Sequence, residues 1–173
     1  MLISEVFKTT CIMLFDKSIK IQKLFRLREG TDIVTSNAEI EIGSHFSLGS
    51  FCHISAVDGG KITIGDNVFI NRNVTVVSRG SINIGSSVCI GPNVCFYDHD
   101  HEFDSNGVYG QFKVGNITIG KNVWVGAGAI ILKNTVIGER SVIGAGTIVS
   151  GTIPPHSIVT NNREIIIKTI LDK

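Results

Sequence analysis

Proline is scarce in this 173-residue chain, three residues against 19 glycines, which excludes collagen-like and Pro-rich linker architectures. An excess of charge is missing too. Lys and Arg number 16 and Asp and Glu 15, for a net +1, and no dense basic cluster lies beyond the N-terminal region. Nothing therefore calls for nucleic acid as a partner. No run reaches the ~20 apolar residues of a membrane-spanning helix. The short stretch Cys11–Phe15 is closed by Asp16 and Lys17 without the small-residue cleavage site of a secretory signal. The four cysteines (Cys11, Cys52, Cys89 and Cys95) stand in no metal-ligand spacing, and a chain of this length needs no disulfide staples. Reduced, packed thiols in a cytoplasmic protein are the expectation. What remains is 43 % hydrophobic and 18 % charged, the composition of one folded domain.

The pattern lies in the apolar residues and the glycines that follow them. Ile119, Val125, Ile131, Ile137, Ile143 and Val149 recur every six residues, and Gly120, Gly126, Gly138 and Gly144 come directly after four of them. The same frame runs through Ile64-Gly65, Ile70-Asn71 and Val76, then Ile84-Gly85, Ile90-Gly91 and Phe96. It starts more weakly at Ile42-Gly43 and Leu48-Gly49. Six residues fit neither a 3.6-residue helix nor the spacing of about 8–12 residues in a sandwich. They fit a short strand and a tight corner, repeated. Three units close a triangular coil of 18 residues. Stacked coils then pair in parallel, with Ile119 under Ile137, Val125 under Ile143 and Ile131 under Val149.

This predicts an all-β fold, a parallel β-helix over residues 36–156. The frame slips by four residues around Asp58-Gly59-Gly60 and by two at Ser78-Arg79-Gly80, which reads as enlarged corners. A longer excursion, residues 97–118, has no repeat of its own, and a loop of that length in a compact domain is usually functional. Residues 1–35 lack the repeat. A stripe through Leu2, Val6, Thr10 and Met13, and a basic amphipathic segment around Lys17, Lys20, Lys23, Arg26 and Arg28, predict a helical cap over the first coil. The lysines also suit peripheral membrane contact, a lesser reading. Residues 157–173, with the apolar run Glu164–Leu171, are expected to close the far end.

Where the long excursion departs stands the densest polar cluster, Tyr97-Asp98-His99-Asp100-His101-Glu102-Phe103. An imidazole beside carboxylates suits a general base: the carboxylate fixes the tautomer and one ring nitrogen stays free for an acceptor. Alternating His and Asp also suit a metal, which is the weaker reading because His45 and His53 do not complete a ligand set. No Walker loop or G-x-G-x-x-G unit occurs. The pairs Gly126-Ala127-Gly128-Ala129 and Gly144-Ala145-Gly146-Thr147 lie 18 residues apart and should stack at one corner. Small side chains there leave backbone amides open to an extended, amide-containing ligand.

Over about residues 62–168 the chain resembles the hexapeptide-repeat acyltransferases, in the branch of galactoside and maltose O-acetyltransferases and the acetyltransferases of surface polysaccharides. The segments that carry this are Ile90-Gly91-Pro92-Asn93-Val94, the histidine five residues on, and Ile117-Thr118-Ile119-Gly120-Lys121-Asn122-Val123-Trp124-Val125-Gly126. The resemblance implies a left-handed coil, acetyl-CoA as donor, and a homotrimer with its active sites between subunits. It implies His99 as the base, with Asn71, Asp98, His101 and Trp124 toward the acceptor. Ala127, Ala145, Ser150 and Lys168 would meet the donor, and Arg163, in the Asn161-Asn162-Arg163 that replaces the usual Gly-x-Pro, would take a phosphate contact. Asp100 stands where the family has proline, and Arg79 where it has an acceptor-binding aspartate. O-acetylation of a saccharide, without a metal, is the activity implied. N-acetylation of an amino sugar, nucleotide sugar or antibiotic is the alternative. A γ-carbonic-anhydrase-like zinc trimer and a non-catalytic scaffold stand further off.

Overall fold

The computed structural model describes residues 17–161, and every regular element among them is a strand. The first coil comprises β1 (Ile19–Ile21), β2 (Arg26–Leu27) and β3 (Asp32–Ser36). The second is β4 (Glu39–Ile42), β5 (Ser47–Leu48) and β6 (His53–Val57), the third β7 (Lys61–Ile64), β8 (Phe69–Ile70) and β9 (Thr75–Ser78). The fourth is β10 (Ser81–Ile84), β11 (Cys89–Ile90) and β12 (Cys95–Tyr97), after which a hairpin, β13 (His99–Asp104) and β14 (Gly107–Val114), leaves the coil. The fifth coil, β15 (Asn116–Ile119), β16 (Trp124–Val125) and β17 (Ile130–Leu132), resumes the stack. The sixth follows with β18 (Thr135–Ile137), β19 (Val142–Ile143) and β20 (Ile148–Val149), and β21 (Thr152–Ile153) and β22 (Ile158–Val159) begin a seventh.

The first strands of all coils form one parallel sheet (A), the second strands another (B) and the third strands a third (C), the three walls of a prism. The ladder pairs Ile119 with Ile137, Val125 with Ile143 and Ile131 with Val149, the stacking that the six-residue frame predicts. Inward side chains make one apolar column: Ile62, Ile82, Ile90, Ile117, Val125 and Ile131 are all fully buried. Outward, the walls differ. Sheet A presents mostly polar residues, with Lys20 paired to Glu41 and Lys61 to Glu39, and exposes Val136. Sheet B exposes Phe69, Trp124 and Ile158, and sheet C exposes Val34 and Ile148.

The glycine after each strand is needed for close approach between coils rather than for its φ. A Cβ on Gly65 would lie 2.6 Å from Ser86 N, and one on Gly126 2.7 Å from Ala145 N. The left-handed residue comes two positions later and is often asparagine: Asn67, Asn73, Asn93 and Asn122 have φ of 56–59°. Asparagine tolerates that region better than other residues with a Cβ.

The helical cap expected over residues 1–35 is overturned for residues 17–35, which form the first coil. Ile21, Leu27 and Ile33 already keep the six-residue frame and pair with Ile42, Leu48 and Ile54. Gln22, Arg28 and Val34, in place of glycine, hid it. The expectations for residues 1–16 and for the closing segment beyond 161, with Arg163 and Lys168, fall outside the described residues. Among the described residues no helix is long and apolar enough to cross a membrane.

Candidate active site

The edge between sheets C and A is where the frame slips, and there the enlarged corners of successive coils meet one side chain. Asp98, at the end of β12, is fully buried. Its Oδ2 accepts hydrogen bonds from Ser78 Oγ at 2.7 Å and from the backbone N–H of Gly80 at 2.9 Å. Its Oδ1 accepts from the backbone N–H of Arg79 at 2.9 Å and lies 2.9 Å from His99 Nδ1. The two extra residues of the Ser78-Arg79-Gly80 corner thus turn their amides into a cradle for this carboxylate. Gly80 has no room for a side chain: a Cβ would sit 2.5 Å from Gly115 O and from Val114 Cγ1. Gly115 N–H in turn donates to Asp98 O at 2.7 Å and closes the neck of the hairpin.

With Nδ1 directed at Asp98, His99 presents Nε2 as its available ring nitrogen, and its side chain keeps 13 % exposure. The hairpin pairs His99 with Val114 and His101 with Phe112, so these side chains share one face of the ladder. Phe112 meets His99 edge-on, with centroids 5.3 Å apart at 82°, and tilts against His101 at 4.5 Å. The Arg79 guanidinium lies over the Phe112 ring, 3.8 Å from its centroid, and pairs with Asp58 of the second coil. Lys133, at the next corner, pairs with Asp100 and ties the hairpin root to the fifth coil. Nearby, burial lifts the Tyr97 phenol above its usual range, helped by its hydrogen bond with the Cys95 side chain, so Tyr97 is neutral at pH 7. At the hairpin tip the Tyr109 hydroxyl, with the Asn106 amide, holds Asp104 below the usual carboxylate range.

The other expected site residues divide between two edges. His99, His101 and Ser150 stand along the C–A edge. Asn71, Ala127 and Ala145 stand along the B–C edge, across the width of sheet C, and Trp124 faces outward from sheet B. The Gly-Ala corners do stack: Gly146 N–H donates to Ala127 O at 2.7 Å, and Ala127 and Ala145 are both exposed. Asn71 uses its Oδ1 to accept from Arg72 N–H at 2.7 Å. Asp98 does not face an acceptor as expected, because it is buried with both oxygens occupied. Phe112 and the Arg79 side chain were not among the expected site residues. The signal for Phe112 was Ser105-Asn106-Gly107, turn-forming residues inside the excursion; Ser105 and Asn106 make the two-residue turn that folds residue 112 back beside residue 101. Among the described residues no three His, Cys, Asp or Glu side chains come together as a metal-binding group.

Residues 116–151 match the bacterial transferase hexapeptide family (six repeats). The galactoside O-acetyltransferase of Escherichia coli (strain K12) is 36 % identical over 157 residues, covering 85 % of this chain and 68 % of that protein. Among solved structures, a hexapeptide-repeat-containing acetyltransferase of Vibrio cholerae O1 biovar eltor, complexed with acetyl coenzyme A, superposes with a TM-score of 0.60. It is 28 % identical, over 83 % of this chain and 72 % of its own. A galactoside acetyltransferase in complex with coenzyme A gives a TM-score of 0.50 at 32 % identity, over 75 % of this chain and 60 % of its own.

Proposed function

This chain belongs to the hexapeptide-repeat acetyltransferases, and on that premise we propose that it moves the acetyl group of acetyl-CoA to a saccharide hydroxyl with His99 as general base. The observation that carries the reading is the Asp98–His99 pair, which holds Nδ1 at 2.9 Å and leaves Nε2 for the acceptor. Nε2 takes the hydroxyl proton as the oxygen attacks the thioester carbon. The tetrahedral adduct then collapses, its C–S bond breaks, and the imidazolium returns the proton to the CoA thiolate. Asp98 accepts the Nδ1–H throughout, which keeps the imidazole in the useful tautomer.

The split of the expected residues between two edges supports a composite site. Within one chain His99 and the Ala127–Ala145 groove are separated by sheet C. A homotrimer that sets the C–A edge of one copy against the B–C edge of the next joins them, and the apolar residues on sheets B and C suit such contacts. The two solved relatives, one complexed with acetyl coenzyme A and one with coenzyme A, support acetyl-CoA as the donor.

Release of CoA thiol, followed against a panel of hexoses, oligosaccharides, amino sugars and nucleotide sugars, tests the reaction. An O-acetylated product from a neutral saccharide is expected; turnover only with amines would replace O-transfer by N-transfer. Mixing tests the composite site. His99→Ala and Ala145→Trp, each inactive alone, should regain activity at about a quarter of the sites when co-assembled, since each site then draws its base from one chain and its groove from another. No recovery in assemblies shown to contain both chains would place the whole site in a single copy.

A further inference from the structure

Arg79 reaches the His99 imidazole by two routes. Its backbone N–H donates to Asp98 Oδ1, the same oxygen that faces His99 Nδ1. Its guanidinium lies over Phe112, 3.8 Å from the ring centroid, and Phe112 sets its edge contact against His99 at 5.3 Å. The three residues come from the third-coil corner (Arg79), the returning strand of the hairpin (Phe112) and the start of its outgoing strand (His99). Asp58 pairs with the guanidinium, and the Arg79 side chain is only 23 % exposed, so the stack is held in a partly desolvated site where cation–π attraction is strengthened. A single hydrogen bond at Nδ1 leaves an imidazole free to swing about that contact. A second contact on the ring removes the swing.

We propose that Arg79 and Phe112 form a clamp that positions His99: Asp98 fixes one nitrogen of the ring, and Phe112, pinned by the Arg79 guanidinium, fixes its plane. Both are positioning residues and neither touches the reacting atoms. The clamp rests on His99 being the base. It also accounts for arginine at this corner, since a guanidinium committed to Phe112 and Asp58 is not a ligand for the acceptor.

The test is a double-mutant cycle with Arg79→Gln, Phe112→Ala and the pair together, beside Phe112→Tyr. Each of the first two should lower kcat by about 10- to 100-fold, the scale of a small misplacement of a reacting group, with KM for acetyl-CoA unchanged. The pair should lose no more than the worse single variant, because without Phe112 the Arg79 side chain has nothing to act through. Phe112→Tyr keeps the ring and should keep turnover. NMR of the His99 ring should show a single side-chain rotamer in the wild-type protein and averaging between rotamers in Phe112→Ala, with the tautomer still set by Asp98. Additive losses, or a Phe112→Ala variant with normal kcat, would overturn the clamp. If Phe112→Ala does not fold, Phe112→Leu, which keeps bulk but not the aromatic ring, is read in the same way. A His99→Ala variant that keeps turnover would remove the base and the clamp together. Loss in His99→Ala without loss in Phe112→Ala removes only the clamp.

Discussion

Replacing His99 with alanine is expected to lower kcat by about 10²- to 10⁴-fold, the usual worth of a positioned general base. Binding of acetyl-CoA should change little, because the proposed groove is built from the backbone of the stacked Ala127 and Ala145 corners of the neighbouring copy, and His99 meets only the acceptor hydroxyl. Stability should change little, since the imidazole makes one hydrogen bond and its removal leaves Asp98 with three donors from Ser78, Arg79 and Gly80. The measurement is a thiol-release assay for kcat beside calorimetric titration with CoA. A variant that turns over near the wild-type rate would end the assignment of His99. One that loses CoA binding as well would mean that His99 belongs to the donor groove instead.

The second large effect falls on Asp98 and should appear in turnover and in stability together. Asp98→Ala leaves two part-buried backbone N–H groups and the His99 ring without their acceptor, while the Ser78 hydroxyl can still turn to Lys61 O. Each orphaned donor costs about 1–3 kcal/mol, so unfolding of this variant by urea should move to much lower denaturant. Asp98→Asn is the finer probe. Its carbonyl can still face Arg79 N–H and His99 Nδ1, and its NH2 can donate to Ser78 Oγ, but Gly80 N–H then meets a donor rather than an acceptor. A loss of about 1–3 kcal/mol is expected, with kcat down by at least about tenfold as the tautomer of His99 loosens. Asp98→Asn with wild-type kcat would show that Asp98 serves the corner alone and that His99 is held by other contacts.

The solenoid was legible because its defining constraint is one-dimensional. Ile119 and Ile137 must face inward one coil apart, and a period in the sequence records that directly. The two-residue slip at Ser78-Arg79-Gly80 was legible too, yet its purpose was not: the carboxylate it holds lies 20 residues downstream of Ser78. The first coil was missed because its corners carry Gln22 and Arg28, and the basic residues on its outer face imitate the polar side of a helix. The sequence placed Asp98 toward the acceptor and did not say which neighbouring carboxylate fixes the His99 tautomer. Alternation along a strand sends the two side chains to opposite sides, one inward and one toward the hairpin. Neighbours in sequence are therefore the residues whose roles a linear reading confuses most easily.

What the sequence determined by itself is the coil, the parallel stacking and the candidate base. Inward positions repeat every six residues, small corners follow them, and two imidazoles, of which His99 is the first, stand where the chain leaves the stack. What only the tertiary structure decided is how that imidazole is held. The hairpin folds Phe112 back over His99, the third coil brings Arg79 and its neighbouring amides beneath, and sheet C separates His99 from the Gly-Ala corners. The physical reason is that a period encodes contacts between equivalent positions of successive coils. The site is made of contacts between inequivalent ones, and those exist only once the chain has closed on itself.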